Sequence, residues 1–422
     1  MKKDWLLFVD ILLILALGLT TLYSTVIGEE TILRGGGVIN RQLLFILVGL
    51  TLYFVITYFN YKYTGHWQVI IPIYLILVIG LVLLLFFGVE INQAKRWIII
   101  GGFQLQISEF TKIILIMITA FLLSLRKKYN IWLLASISII LSIIPAILVF
   151  LEPDAGTAVI MVGIPIVICL TYLPNQLRNL IFVALSLIAG VIFYMSLGAN
   201  FSAATIVLGA ILLVGSIALL IKSPKNILMI GLIILAGLFI GGLSKFAWTH
   251  VLGDYQKARI TCFIDPEADP SGACFQVSQS KIAIGSGLLD GLGFGHGTQS
   301  KLRFLPEHQT DFIFAAFTEE FGFVGSILIF ILYGFAILRI IMISTKTRDL
   351  YGSAISIGMA LKILFEFLIN VGMNLSIMPA TGVPLPLMSA GGSMLLATMI
   401  GLGLVQSVLN NREIIDSDGI VS

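Results

Sequence analysis

Asp311 is the side chain best placed by type and context to do chemistry. It stands where a long polar stretch, running from about Lys245, gives way to the apolar run DFIFAAFTEEFGFVG. Pro306 suits the first turn of a helix and Thr310 suits a cap, so a helix is expected to begin within residues 305–312. A carboxylate in a first turn is favoured by the helix dipole and stays ionised, the form a general base needs. Glu307, four residues earlier, would push one of the two pKa values up if that turn is helical. A helix-capping acid at a membrane boundary is the plainer reading of Asp311. Glu319 and Glu320 follow on the same helix. Glu319 would lie about 12 Å from Asp311 along the axis, beyond the roughly 5 to 9.5 Å between paired glycosidase carboxylates. A hydrolytic dyad is therefore disfavoured, and both glutamates read as structural.

Basic and polar residues elsewhere could serve such an acid. Lys95 and Arg96 precede Trp97 and could grip a phosphate or merely mark the membrane boundary. Glu109 and Lys112 stand i, i+3 at the start of an apolar run, and Lys362 and Glu366 stand i, i+4 inside another. Charges at such depth are expensive, pair with one another and often mark function. Glu152, Pro153 and Asp154 sit between two apolar segments, where turn formation explains them as readily as catalysis. In the polar stretch, Arg259, Asp265, Lys281 and the run GSGLLDGLGFGHG could shape a site for a phosphate-bearing head group, with a flexible loop as the alternative. The segment MPATGVPLPLMSAGGSM cannot be regular helix, so it must be buried in protein or line a cavity. Gly391 and Gly392 within it are expected to permit close helix approach.

Four histidines form no metal motif, and no phosphate-binding loop or dinucleotide fingerprint is present. Cys169 lies in an apolar run and is expected to be inert. Cys262 and Cys274 share the polar stretch and are expected to be free thiols, a bridge being the alternative.

The elements that must position these residues are read from hydropathy. Of 422 residues, 58% are hydrophobic and 11% charged. Apolar runs of about 17 to 25 residues are each long enough to cross a bilayer. Twelve can be drawn, at 5–26, 41–59, 69–88, 107–125, 131–151, 157–173, 179–197, 203–221, 226–243, 311–338, 350–373 and 389–409. The expectation is one all-α polytopic membrane domain spanning 1–422, with a large extracytoplasmic loop at 244–310. The first run reads as a retained helix, not a cleaved signal.

With the N-terminus inside, the inner loops hold Lys2, Lys3, Lys62, Arg126, Lys127, Lys128, Arg178, Lys222, Lys225, Arg339, Lys346, Arg348 and Arg412. The short outer loops hold Arg34, Arg41, Lys95 and Arg96. That asymmetry predicts cytoplasmic termini and puts Asp311 at the outer face. No basic tail suits nucleic acid. These observations leave a membrane enzyme or a transporter of a lipid-linked substrate.

Several stretches resemble the SEDS family (shape, elongation, division, sporulation). They are NQAKRWI with SEFTK, EPDAGTA, PATGVPLPLMSAGGS, and YQKARI, DPEADPSGA, QSKIAIGSG, GTQS, FLPE and TDFIFA in order. The DPEADP and GTQS parts favour its elongation branch over its division branch. The resemblance implies a ten-span helical bundle, here with an inserted pair near residues 180–243. It also implies a peptidoglycan glycosyltransferase that polymerises lipid II on the outer face of the cytoplasmic membrane, with Asp311 at the position of the essential aspartate. Lys95, Arg96 and Arg259 are the expected pyrophosphate or head-group contacts. Gln279, Ser280, Lys281, Thr298, Gln299 and Thr310 are expected to meet substrate on the loop side, and Glu109, Lys112, Asp154 and Glu307 to shape the cavity. A class B penicillin-binding protein and other elongation-complex membrane proteins are the implied partners. A divalent cation, Mg2+ or Mn2+, assists the family, although no dedicated protein site for one is evident. A lipid II flippase and a non-catalytic scaffold are the rival readings. The chain departs from the family pattern at Gln309 (usually His), Glu152 (usually Gln), Ile107 (usually Pro) and Ala390 (usually Tyr).

Overall fold

The apolar runs become helices because each satisfies its own backbone hydrogen bonds, the condition for crossing hydrocarbon. In the computed structural model, residues 4–26, 32–91, 94–100, 103–175, 244–265, 274–301 and 304–411 are described, with isolated positions between 184 and 242 and at 269 and 272. The expected segments at 179–197, 203–221 and 226–243 lie largely outside the described residues. The chain divides into two compact units, Leu170–Lys257 and the remainder. The candidate site lies wholly within the second.

That unit opens with α1 (Trp5–Val26), α2 (Ile32–Tyr58) and α3 (Trp67–Phe87), and continues through α4 (Ile107–Ser124), α5 (Ile131–Leu151) and α6 (Ala155–Tyr172), whose last turn reaches into the smaller unit. It resumes at Ala258 within α7 (Asp254–Ile264) and continues through α8 (Phe275–Ser286) and the single turn α9 (Thr298–Lys301). The long α10 (Ile313–Thr345), α11 (Leu350–Asn374) and α12 (Gly392–Asn411) complete it. Among the described residues, nine helices are long and apolar enough to cross a membrane. Local signals set several of their ends. The Asn130 side chain accepts from the backbone N–H of Trp132 to start α5, and Asp349 accepts from that of Gly352 to start α11.

Between α3 and α4 the chain forms a small antiparallel sheet, which the apolar runs did not reveal. Strands β1 (Val89–Ile91), β2 (Ala94–Ile100) and β3 (Phe103–Leu105) pair in that order, with Glu90 opposite Lys95 and Ile98 opposite Leu105. The helices pack closely where side chains are small. A Cβ on Gly392 would fall 2.3 Å from the Phe45 ring, so the glycine lets α12 lie against α2, as expected.

The polar stretch is itself helical in part, through α7, α8 and α9, and its glycine run has a structural task. At Gly322, with φ +65°, α10 breaks. The 288–293 backbone fills the gap: Leu292 and Gly293 N–H donate to the Glu319 and Glu320 carbonyls, while Phe323 and Val324 N–H donate to those of Leu288 and Leu289. A Cβ at Gly291 would sit 2.1 Å from the Glu320 carbonyl oxygen. Glycine at 291 and 322 permits this close approach. Cys262 and Cys274 are joined by a disulfide, against the expectation of free thiols. Their Cα atoms stand 5.1 Å apart across twelve residues, within normal bridging distance.

Candidate active site

One end of the bundle gathers the sheet, the α5–α6 turn, the start of α10 and the irregular segment after α11. Helix α10 begins at Ile313, later than its sequence suggested, and residues 306–312 form turns. Asp311 is therefore not in a first turn, and Thr310 does not cap the helix; its hydroxyl donates to the Glu307 carboxylate at 3.0 Å. Glu307 adopts φ +51° and its carbonyl accepts the N–H groups of Thr310 and Phe312. Phe312 anchors the turn beneath α8, packed with Leu305, Ala283 and Ala315. Burying such a ring stabilises by roughly 1.5–3 kcal/mol.

The Asp311 carboxylate lies against the backbone of Gly382. A Cβ there would meet its Oδ2 at 3.2 Å and an Arg259 guanidinium nitrogen at 3.4 Å. Gly382 also holds φ +74°, so glycine suits it on both counts. Acid and guanidinium thus share one niche. Desolvation, the largest influence, pushes the Asp311 carboxyl up to about 6. Arg96 and Arg259 oppose that rise, whereas Glu307 and Asp154 add to it. The dipole argument for a permanently ionised group is thereby replaced: Asp311 is partly buried, and desolvation moves its carboxyl upward.

Arg96, on β2, reaches Asp154 at 3.3 Å. Asp154 also accepts from the Gln106 amide and from the Thr157 N–H that starts α6. It is buried and orients Arg96. Lys95 lies on the same strand, its side chain outside the described residues. Beside them Glu152 is 1% exposed, and neither carboxylate oxygen has a hydrogen-bond partner among the described residues. Burial first, then the Asp154 charge, raise its pKa to about 8, with Arg96 opposing. The folded state keeps this proton between the ordinary carboxylate range and about 8, so Glu152 makes stability fall as pH rises through that window. Glu152→Gln is expected to be more stable than the parent at pH 8.5, on the order of a few kcal/mol, with the difference fading by pH 5. Thermal unfolding in detergent at both pH values checks this.

Other expected contacts are placed elsewhere. Ser280 is fully buried and donates to the Asn374 carbonyl at 2.9 Å, so it is a structural tie. Thr298 and Gln299 are likewise tied to the protein itself. The Thr298 N–H and hydroxyl and the Gln299 N–H all donate to Glu319 Oε1, with Ser300 on Oε2. Glu319 caps the α9 turn and is structural, as its distance from Asp311 implied. Gln279 is half-buried and Lys281 exposed on α8. Glu109 and Lys112 pair at 2.8 Å. Lys112 continues to Glu366 at 2.5 Å, which meets Lys362 at 2.7 Å. The two expected pairs are one chain of four buried charges.

Sequence reasoning missed Asn370 and Asn374, whose amides both donate to the Asp311 carbonyl. It also missed Ser389, whose hydroxyl donates to the Thr310 carbonyl at 2.6 Å. The asparagines were visible as polar residues four apart in an apolar run. Among the described residues no three His, Cys, Asp or Glu side chains converge on a metal position.

Fold and site together define a multi-pass helical membrane protein with an acid–guanidinium niche at one bundle end. The chain belongs to the FtsW/RodA/SpoVE family of cell cycle proteins, whose profile matches residues 4–205 and 174–414. It is similar to the peptidoglycan glycosyltransferase RodA of Treponema pallidum, 32% identical over 97% of this chain and 98% of that one. The peptidoglycan glycosyltransferase MrdB of Escherichia coli K12 is also 32% identical, over 81% of this chain and 78% of its own. A chain of a solved peptidoglycan synthase complex matches with a TM-score of 0.70 and 25% identity, covering 98% of this chain and 99% of that one.

Proposed function

We infer that this chain, a peptidoglycan glycosyltransferase, polymerises lipid II at the outer face of the cytoplasmic membrane with Asp311 as general base. The observation that carries this reading is the Asp311 carboxylate set with the Arg259 guanidinium against the Gly382 backbone, where desolvation raises the carboxyl to about 6. A base of that strength is ionised at neutral pH yet takes a proton readily. It accepts the proton of the acceptor sugar hydroxyl. That oxygen then bonds to the donor sugar carbon as the bond from this carbon to the pyrophosphate oxygen breaks. The undecaprenyl pyrophosphate leaves with the electron pair, and Asp311 returns its proton to water.

Arg259 and Arg96 stabilise the leaving diphosphate by charge fixed in place beforehand. Lys95, Gln279 and Lys281 extend the contacts to the head group. Among the described residues no cluster of His, Cys, Asp or Glu would hold a metal; a divalent cation would come bound to the diphosphate. Both termini lie in the cytoplasm, as the basic-residue asymmetry supports. A class B penicillin-binding protein is the partner, supported by the likeness to a chain of a synthase complex that coordinates polymerization and crosslinking.

The flippase alternative needs charge able to move through the bundle. Glu366 instead uses both oxygens on lysines. Incubation of the purified protein and its partner with labelled lipid II is expected to yield long glycan strands. Unchanged lipid II, together with its transfer across vesicle membranes by the same protein, would overturn the assignment in favour of transport.

A further inference from the structure

The Asp311 carboxylate lies against Gly382, and α11 holds the turn that carries it. Asn370 and Asn374 stand one turn apart on that helix, both wholly buried. Asn370 Nδ2 donates to the Asp311 carbonyl at 2.8 Å and to the Val383 carbonyl, also at 2.8 Å. Asn374 Nδ2 donates to the same Asp311 carbonyl at 3.1 Å and to the Asn370 carbonyl at 2.8 Å. The Asn374 side-chain oxygen accepts the Ala315 N–H at 3.1 Å, and its main-chain oxygen receives the Ser280 hydroxyl.

We propose that Asn370 and Asn374 are positioning residues that lock the acid to the opposite wall of the site. Resting on the reading of Asp311 as base, the inference explains how its place is set. One Asn370 amide ties together two chain segments 72 positions apart, the turn that bears the acid and the loop that carries Gly382. Two donors on the Asp311 carbonyl use both of its lone pairs, which fixes the peptide plane and so the position of the Cα that carries the side chain. Neutral amides suit the task. An aspartate would turn carboxylate oxygens toward carbonyl oxygens, and an aliphatic side chain would supply no donor at all. Neither asparagine touches substrate; both act through Asp311. A misplacement of about 1 Å at a reacting group can cost on the order of a hundredfold in rate.

The test is Asn370→Leu in the full-length purified protein. The readout is labelling of Asp311 by dicyclohexylcarbodiimide, which reacts with protonated carboxyl groups, followed by mass spectrometry across pH. Arg96, Arg259, Glu307 and Asp154 face the acid, and desolvation dominates its titration. Freed from the clamp, Asp311 gains water, so the labelling midpoint shifts to lower pH by half a unit or more. The polymerisation rate per folded molecule falls by about 10- to 100-fold. A midpoint that stays at the parent value overturns the assignment, whatever happens to yield. If Asn370→Leu gives no folded protein, Asn370→Ser carries the same two outcomes. The labelling requires no turnover, so a chain found not to polymerise lipid II would still report on the clamp.

Discussion

Asp311→Asn is expected to lower glycan polymerisation by about 10²- to 10⁴-fold, the usual worth of a positioned general base, while the chain stays folded. The structure separates the two effects. The clamp from Asn370 and Asn374 holds the main-chain oxygen of Asp311, not its side chain, and Ser389 holds that of Thr310. Asparagine keeps all three bonds and nearly the same shape. Arg96 keeps Asp154. What disappears is the basic oxygen. The parent enzyme should also show a rising limb of rate with pH centred near 6, where Asp311 loses its proton. Below that pH the base is occupied and the rate falls; above it the base is free. Strand synthesis from labelled lipid II, measured on monodisperse protein from pH 5 to 8, tests both points. A variant with parental output would remove Asp311 from the chemistry.

The bundle was legible because crossing a membrane demands length and apolarity, both visible in a linear chain. Helix α5 falls at 131–151 as expected, and α1 and α11 agree within a residue. The paired charges were legible for a similar reason, since i, i+3 and i, i+4 spacing on a helix implies contact. Their union was not, because the bond from Lys112 to Glu366 spans 254 positions and depends on how α4 meets α11. The bonds of Thr298 and Gln299 to Glu319 were not legible, because a motif says where residues cluster, not which atom their N–H groups meet. The asparagines drew no notice because they are uncharged, although a buried amide in an apolar helix needs partners as surely as an ion does. The pKa of Asp311 followed the same logic. Its local sequence suggested a dipole, whereas its surroundings bring in Gly382, Arg259 and Arg96 from distant parts of the chain.

Glu366→Gln is the substitution expected to cost most in stability. Glu366 accepts from Lys112 and from Lys362 and is wholly buried. Removing its charge leaves Lys112 with Glu109, but leaves Lys362 with no carboxylate, only neutral acceptors such as the Thr398 hydroxyl at 3.0 Å. An ammonium uncompensated inside a bundle costs about 3–5 kcal/mol, a large share of the marginal stability of a folded chain. The single variant should therefore melt well below the parent in detergent and give little monodisperse protein. Adding Lys362→Met removes the stranded charge and leaves Lys112 and Glu109 as a neutral pair, so the double variant should recover much of the loss. Such recovery is the non-additivity expected of charges in one network. If the double variant melts no higher than Glu366→Gln alone, the four side chains are not one coupled unit. The cost would then come from lost packing around α11, and the polar ridge from Lys362 to Asn374 would have to be understood residue by residue.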